Sequence, residues 1–284
     1  MQQMHNARFI DGIFSDRKVI NSRLLNLLGL QALRALGARL AHRNRRIEVA
    51  PAVRNQVKKL EVDGIVVWAD FLPEEQFRAL RDACSALVAS HPDSYVRQSG
   101  PTRDARVLVS KLDLGRVPSL AQFLNDPRLR ALLEAAERRP LGDLVQYAKV
   151  EHITQGELGD KRDPQTELHS DIYYTSHKAW FYLTDVTLAS GPLTFVKGTH
   201  LLSPARLIRI YEHSVTMKPG DDPSRRVNAK ERASLPEATV LACPANTLVV
   251  ANTCGYHARR QGVAGRERCS IHMEIRAKNP FWSR

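Results

Sequence analysis

A histidine and an aspartate two positions apart, His169 and Asp171, form the pair whose spacing most directly suggests metal chemistry. In a β-strand, residues i and i+2 project from the same face, so the imidazole and the carboxylate would converge on one point. A third ligand from a distant strand would complete a set of two histidines and one carboxylate. That set leaves coordination positions open and is typical of oxygen-activating non-haem Fe(II).

An arginine downstream suggests what else such a site would bind. His257 is followed eleven residues later by Arg268, which begins the alternating segment 268–274. A guanidinium inside a barrel is costly unless it is paired. Its planar fork suits a carboxylate, and we therefore expect it to bind the far carboxylate of a dicarboxylic acid. A 2-oxo acid would also chelate Fe(II) favourably, because a single carboxylate ligand neutralises only one of its charges.

Short strand-like segments must position these residues. From residue 144 onward, apolar or alternating stretches are separated by Gly, Pro and Asn turns, which is typical of an antiparallel barrel or jelly roll. We predict a mainly β fold with flanking helices and a double-stranded β-helix core of the jelly-roll, cupin-like type. The predicted strands are residues 65–68, 144–153, 180–183, 193–196, 239–242, 247–251 and 269–275.

Helical periodicity predicts three helices. They cover residues 19–43, 74–89 and 127–138, and the first is amphipathic. Two further segments, 155–168 and 212–236, are polar and irregular. Long loops in a compact domain often act as lids, so we expect these two to close over the site.

Positive charge is concentrated near the N-terminus. The chain of 284 residues has a net charge of +12. Residues 1–59 hold twelve Lys or Arg and only three acidic residues, a net charge of +9, whereas the remainder carries +3. We therefore predict a basic helical extension over residues 1–59 and a catalytic jelly-roll domain over residues 60–284.

The amphipathic helix has two open interpretations. It could lie on an anionic membrane surface through residues 19–46, or it could pack on the protein with its basic face in water. Nucleic acid is not expected as a partner, because no recognition motif or aromatic platform accompanies the charge. The leucines that recur near the helical period are Leu24, Leu27, Leu28, Leu33, Leu36 and Leu40.

The positions of the cysteines and the hydropathy of the chain indicate the cellular compartment of the protein. The four cysteines lie far apart, the first 20 residues lack the apolar run of a secretory signal, and no uninterrupted apolar run of 18 residues occurs. We expect a cytoplasmic protein with free thiols and no transmembrane helix. A peripheral position at the inner membrane face is compatible with the basic extension.

From about residue 60 to the C-terminus, the sequence resembles the phytanoyl-CoA dioxygenase family of Fe(II)/2-oxoglutarate-dependent oxygenases. The order and spacing of several motifs carry the resemblance, and residues 1–59 lie largely outside it. The motifs are His169-Ser170-Asp171, residues 178–186, residues 190–193, Gly198-Thr199-His200, residues 244–248, His257, Arg268 and residues 276–281.

The resemblance implies three metal ligands and a set of contacts for 2-oxoglutarate. The matching ligands are His169, Asp171 and His257. Arg268 matches the arginine that binds the C5 carboxylate of 2-oxoglutarate, and Ser270 would assist it. Gln146 and Lys149 are candidates for further contacts with this co-substrate.

The resemblance also implies the reaction. With O2, 2-oxoglutarate is decarboxylated to succinate and CO2 while an unactivated C–H bond of a second substrate is hydroxylated. Related halogenases have a small residue in place of the aspartate, so Asp171 favours hydroxylation. Tyr173, Tyr174, Lys178 and Arg206 are candidate substrate contacts, although aromatic residues there often only pack. Basic side chains that could bind an anionic group, or merely face solvent, are Lys178, Arg206, Arg209, Arg225 and Arg226.

The other histidines are expected not to bind the metal. His200 belongs to a structural turn, and His272, which follows Arg268 by four residues, is the one most able to line the barrel. The remainder, expected to pack or lie at the surface, are His152, His177 and His213.

Three functions remain open at this point. The first is a hydroxylase of a small-molecule or lipid- or glycan-linked substrate. The others are a non-catalytic jelly-roll binding protein and a peripheral membrane accessory factor in surface-polysaccharide or lipid metabolism. Retention of all three ligand types together with Arg268 argues against loss of catalysis.

Overall fold

Two antiparallel sheets face each other in the computed structural model, and helices cover the larger one. The structure describes residues 15, 17–91, 95–157, 159, 162–218, 221, 224–277 and 279–282. The strands are β1 (Ile65–Trp68), β2 (Val96–Ser99), β3 (Thr102–Leu108), β4 (Ala148–Gln155), β5 (His169–Ser170), β6 (His177–Tyr182), β7 (Leu193–Phe195), β8 (Arg225–Arg226), β9 (Thr239–Val240), β10 (Thr247–Asn252), β11 (His257–Arg259) and β12 (Glu267–Ile275). The helices are α1 (Arg23–Leu27), α2 (Leu30–Asn44), α3 (Arg54–Asp63), α4 (Glu74–Ser90), α5 (Pro118–Leu124), α6 (Pro127–Glu137), α7 (Pro204–Thr216) and α8 (Ala229–Ala233).

The strands are divided between a seven-stranded and a five-stranded sheet. The major sheet has the order β1-β10-β6-β12-β4-β3-β2, and the minor sheet has the order β8-β5-β11-β7-β9. Neighbouring strands run antiparallel throughout. This is the mainly β architecture with flanking helices that the sequence predicts.

The major sheet has different surroundings on its two faces, because successive side chains point to opposite sides. On β6, Phe181 points outward and packs with Phe77 of α4 and Phe123 of α5 in the main apolar core. Its neighbours Trp180 and Tyr182 point toward the minor sheet and pack there with Phe195. The space between the sheets is therefore the place where polar side chains of the same strands can meet.

The N-terminal segment differs from the single helix predicted over residues 19–43. It breaks at Gly29, which has φ +81°, and continues as α2. The buried face of α2 includes Gln31, Arg34 and His42, whereas the leucines face solvent. The interpretation in which the helix packs on the protein with its basic face in water is therefore corrected on one point. The leucines form much of the face in water, and Arg34 is buried. The domain boundary at 59/60 stays a prediction, and α3 runs across it.

Two other segments also depart from the sequence prediction. Residues Leu144–Gln146 form a 3-10 turn, and the predicted strand 144–153 begins only at Ala148. Segment 212–236 is not irregular throughout, because it contains the end of α7 together with β8 and α8. Periodicity missed β3 because two charged residues of this strand, Asp104 and Arg106, point between the sheets and disguise its apolar alternation.

The turn from α3 into β1 requires glycine. Gly64 has φ +80°, a region that side-chain-bearing residues avoid. A Cβ at this position would lie only 2.4 Å from Nδ1 of His200. The other ring nitrogen of His200 lies 3.1 Å from the Glu61 carbonyl oxygen. His200 therefore supports this turn, in line with its expected structural role.

Two expectations about the whole chain can be compared with the structure. All four cysteines are free, as predicted. Among the described residues, none of the helices combines the length and apolar character needed to cross a membrane.

Candidate metal centre

The histidine and aspartate ligand candidates meet on the minor sheet. His169 on β5 lies directly opposite His257 on the antiparallel strand β11, and their ring centroids are 4.6 Å apart. Asp171 follows β5, and its backbone N–H donates to the Thr253 carbonyl at 3.0 Å. Its carboxylate oxygens lie 3.6 Å from His169 Nε2 and 3.5 Å from His257 Nε2. Three potential ligand atoms thus face one point, all within 4.8 Å of one another.

Backbone contacts fix which ring nitrogen of each histidine is available. His169 Nδ1 lies 2.7 Å from the Glu167 carbonyl oxygen, and His257 Nδ1 lies 3.0 Å from that of Gly255. A carbonyl oxygen only accepts, so each Nδ1 carries the proton and each Nε2 keeps its lone pair. Burial also lowers the pKa of His169, which keeps the ring neutral. This is the state that binds a divalent metal, so the three residues fit Fe(II).

A half-buried lysine holds the aspartate. Lys178 Nζ on β6 lies 2.7 Å from Asp171 Oδ2. Burial alone would lower the pKa of Lys178, but the carboxylates of Asp171 and Glu274 raise it above its ordinary value. Burial likewise would raise the pKa of Asp171, but Lys178 and His257 bring it well below the usual range. The structure thus places Lys178 against a ligand candidate and in the wall of the cavity, and its predicted contact with the substrate stays a prediction.

Arg268 lies in the same cavity and is buried on β12. Its Nε has no hydrogen-bond partner within the described part of the chain, and no ion pair between described residues involves it. Burial raises the pKa of the adjacent Tyr182 to about 12, although Arg268 opposes this shift. A buried guanidinium without an acidic partner fits a carboxylate supplied by a ligand.

The cavity between the sheets has a volume of about 380 Å³. Alternate residues of five adjacent strands of the major sheet line one wall, and the metal-ligand candidates line the opposite wall. The wall residues on the major sheet are Arg97, Ser99, Asp104, Arg106, Lys149, Glu151, Ile153, Lys178, Trp180, Tyr182, Arg268, His272 and Glu274.

Most charges of this wall are paired. Arg106 contacts both Asp104 and Glu151, and Glu151 also contacts His272 at 3.2 Å. The His272 ring stacks on Trp180 with the centroids 5.1 Å apart. Paired charges hold the polar wall in one arrangement, so the cavity is preorganised for a polar ligand.

The remaining co-substrate candidates differ in position. Lys149 lines the cavity, and its pKa is lowered by burial despite the opposing charge of Glu151. Ser270 is buried on β12 opposite Glu151 but does not line the cavity. Gln146 is exposed in the turn before β4 and lies outside the cavity. Lys149 therefore lines the cavity, and Ser270 lies on the same face of β12 as Arg268, whereas Gln146 lies outside.

Three of the predicted substrate contacts lie outside the cavity. The Tyr173 hydroxyl donates to the Ser15 carbonyl, and that of Tyr174 donates to the Ala277 carbonyl. Both rings pack in the apolar cluster beneath α2. The guanidinium of Arg206 stacks on the Tyr256 ring with its carbon 3.9 Å from the centroid. The two tyrosines therefore agree with the packing alternative, whereas Arg206 is buried and does not face solvent as its alternative expected.

Other basic residues and histidines also have internal partners. Ion pairs join Arg209 to Glu212, Arg225 to Glu231 and Arg226 to Glu167. Among the histidines, pairs join His152 to Glu267 and His177 to Glu137, and His213 lies on α7. Within the described residues, only His169, Asp171 and His257 form a group that could hold a metal.

Both segments expected to act as lids contribute to the cavity, through Gln165 and Ser224. Asp163 in the first segment is buried and accepts hydrogen bonds from Ser99 Oγ at 2.6 Å and from the Arg259 guanidinium. The described part of this segment is therefore anchored to β2 and β11. Whether either segment closes over the site stays a prediction.

Sequence reasoning missed several wall residues that the structure brings together. On β12, Glu274 continues the i, i+2 spacing from Arg268 through His272, which was already expected to be able to line the barrel, so the alternation of that strand contained the signal. Asp104 and Arg106 lie on a strand that was not predicted. Glu151 lies on a strand that was predicted. The sequence did not show which strands pair with it, so the position of Glu151 in the cavity wall could not be predicted.

Comparisons with known proteins agree with this geometry. Residues 60–239 match the family model described as phytanoyl-CoA dioxygenase (PhyH). No curated protein matches the chain. Similar solved structures include the epimerase SnoN in complex with Fe3+, alpha ketoglutarate and nogalamycin RO, with 18% identity, coverage of 80% of this chain and 87% of SnoN, and a TM-score of 0.51.

Two further structures have the same fold. AviO1 from Streptomyces viridochromogenes Tue57 is 16% identical, with 83% of this chain and 99% of AviO1 covered and a TM-score of 0.51. EctD from S. alaskensis, solved with 2-oxoglutarate and 5-hydroxyectoine, is 13% identical, with 86% of each chain covered and a TM-score of 0.51. This likeness confirms the predicted jelly-roll core.

The family model covers more than half of the chain, and the His-Asp-His group and Arg268 share one cavity within the expected fold. The chain therefore belongs to the phytanoyl-CoA dioxygenase family of Fe(II)- and 2-oxoglutarate-dependent oxygenases.

Proposed function

We propose that the protein hydroxylates an unactivated C–H bond of a polar substrate, with conversion of 2-oxoglutarate and O2 to succinate and CO2. The observation that carries this proposal is the shared cavity, in which a complete His-Asp-His group lies across from a buried arginine that has no acidic partner among the described residues. The presence of Asp171 supports hydroxylation rather than halogenation, since its carboxylate fills the position that a halide would need.

Each residue has a distinct part in this reaction. His169, His257 and Asp171 would hold the metal, and Arg268 would bind the far carboxylate of 2-oxoglutarate and so fix its orientation. When bound, Fe(II) supplies the oxygen activation that no amino-acid side chain provides. Lys178 holds the Asp171 carboxylate in place, and the two sheets exclude bulk water.

The cavity wall supports a polar substrate. Asp104, Arg106, Glu151 and His272 form a buried network opposite the metal-ligand candidates. A long apolar chain would lie against these charges without satisfying them, at a desolvation cost. We therefore propose a small molecule, or the polar headgroup of a lipid- or glycan-linked molecule, as the substrate.

A cytoplasmic position with an anionic membrane surface as the partner of residues 19–46 completes the proposal. It would bring the enzyme to a lipid-linked substrate at the inner face of the membrane. A peripheral accessory factor in surface-polysaccharide or lipid metabolism would need the same surface but no turnover. The complete metal group and Arg268 favour the catalytic function over this one and over a non-catalytic binding protein.

Succinate formation tests the catalytic proposal. Purified protein is incubated with Fe(II), ascorbate and 2-oxoglutarate, with and without candidate polar substrates. We expect Asp171→Ala to abolish succinate formation and Arg268→Met to raise the KM for 2-oxoglutarate by about 100-fold, because a buried charge-assisted pair is lost. His152→Ala, at a histidine paired with Glu267 outside the cavity, is the control. Full activity of the Asp171 variant would refute the metal assignment.

A further inference from the structure

We propose that α1 and α2 form a docking surface for a bilayer of anionic phospholipid, next to the cavity. This surface, the leucine face, consists of Leu24, Leu27, Leu28, Leu33, Leu36 and Leu40. The inference rests on the proposed function in its lipid-linked form, because it names the surface that brings the enzyme to such a substrate.

The leucine face is exposed although apolar side chains normally turn inward. Its six side chains are between 39% and 70% exposed. On α2, Leu33, Leu36 and Leu40 follow the i, i+3, i+7 spacing of one helix face, and α2 is about 22 Å long. On α1, Leu24 and Leu27 have the i, i+3 spacing, and Leu28 follows directly after the helix. Clustered exposed apolar side chains on a monomer mark an interaction site.

The opposite face of α2 already holds the helix on the protein. Ala35 and Ala38 pack there with Tyr173 and Tyr174. Arg34 stacks on the Tyr173 ring with its guanidinium carbon 4.5 Å from the centroid. The leucines are therefore not needed to pack α2 on the protein. A partner outside the chain would explain why apolar residues occupy these exposed positions.

Charge identifies that partner as an anionic bilayer. No Asp or Glu occurs from residue 17 to residue 47, whereas eight Lys or Arg do. Arg23, Arg43 and Arg46 are exposed, and Arg43 continues the spacing of Leu36 and Leu40 along α2. Basic residues beside an apolar helix face are typical of helices that lie at an anionic membrane surface. A second copy would instead bring two basic segments together and repel.

The helix that carries the leucine face packs, through its other side, on the wall of the candidate cavity. Lys18, just before α1, lines the cavity. The Arg39 guanidinium of α2 lies 3.3 Å from Thr175 Oγ1, and the same helix covers Tyr173, two residues after Asp171. A bilayer on the leucine face would thus hold a lipid-linked headgroup near the cavity while its tail stays in the membrane.

Vesicle co-sedimentation tests the surface. The full chain is mixed with vesicles of phosphatidylcholine alone, or of phosphatidylcholine with phosphatidylglycerol. We expect binding to the anionic vesicles at low salt and its loss at about 0.5 M salt, where charges are screened. Leu33→Gln/Leu36→Gln should weaken this binding at least about tenfold, because glutamine keeps the helix but removes the apolar contact.

The control is Leu188→Gln/Val263→Gln, at two similarly exposed apolar residues outside α1 and α2, and it should bind like the original protein. Equal binding of the two double variants would overturn the proposal. So would the absence of binding to anionic vesicles, equal binding to both kinds of vesicle, or a lipid-free dimer that the Leu33/Leu36 changes dissolve. Succinate formation without vesicles should be unchanged in both variants. Its absence in the original protein would refute the oxygenase function separately.

Discussion

At the scale of single residues, the metal centre depends on groups that touch the ligand candidates without being ligands. Two carbonyl oxygens fix the tautomers of His169 and His257, and Lys178 fixes Asp171. Without a metal, the ammonium of Lys178 is the main cation that compensates the Asp171 carboxylate. The lysine therefore contributes to the stability of the metal-free fold as well as to the geometry of the site.

This role predicts the effect of Lys178→Met. The metal-free variant should lose about 2–3 kcal/mol in the free energy of unfolding, because one buried carboxylate loses its partner. Lys197→Met is the matched control, since Lys197 forms a similarly short but more exposed pair with Asp63, at 2.9 Å against 2.7 Å for Lys178 and Asp171, and it should lose less than about 1 kcal/mol. Urea unfolding of both proteins in EDTA provides the measurement. Equal losses would contradict a special role for Lys178.

At the scale of elements, strand alternation decides which side chains meet in the cavity. Arg268, His272 and Glu274 share a face of β12, and Lys178, Trp180 and Tyr182 share a face of β6. Loops then anchor to this framework. Asp163 ties segment 155–168 to β2 through Ser99 and to β11 through Arg259.

The Asp163 anchor predicts a pH dependence of stability. Burial would raise the pKa of Asp163, but Arg259 and the hydrogen bonds lower it below 3.8. A depressed pKa means that the carboxylate stabilises the fold fully above about pH 4 and loses this effect as the pH falls through its folded pKa. Asp163→Asn should therefore cost about 2 kcal/mol at pH 7 and at pH 5, with a smaller difference below pH 4.

Urea unfolding at pH 7, 5 and 3.5 measures this difference. Asp113→Asn is the control, because Asp113 also caps a 3-10 turn but is exposed. Its effect on stability should be small at every pH. A cost for Asp163→Asn that stays constant down to pH 3.5 would show that ionisation of Asp163 is not what anchors the segment.

At the scale of the whole molecule, the candidate site lies between two sheets rather than within one. The minor sheet supplies the metal-ligand candidates, and the major sheet supplies Arg268 and the polar wall. A ligand that contacts both walls would link the sheets. Binding of metal and co-substrate should therefore stabilise the entire fold.

Thermal unfolding measures this coupling. Anaerobic Fe(II) with 2-oxoglutarate, each at about 100 times its Kd, should add about 2.7 kcal/mol per site and raise the Tm by several degrees. EDTA should reverse the shift. We expect His169→Ala to remove it and His152→Ala to retain it. A shift of equal size in the His169 variant would place the metal elsewhere.

The sequence by itself determined the chemistry of the centre. The order and spacing of the motifs around His169, Asp171 and Arg268 carried the resemblance to the family. The short alternating segments predicted the jelly-roll fold, because strand alternation is a local property that can be read from spacing. Periodicity also predicted most apolar strands and the helices over residues 74–89 and 127–138, because periodicity is likewise a local property of the sequence.

Only the tertiary structure decided which side chains surround that centre and which face of the N-terminal helices is free. Lys178 contacts Asp171, Tyr173 and Tyr174 pack beneath α2, and the leucines of α1 and α2 face outward. These outcomes depend on pairings between distant segments. Periodicity shows that a helix has two faces, but the surface on which it packs determines which face is buried.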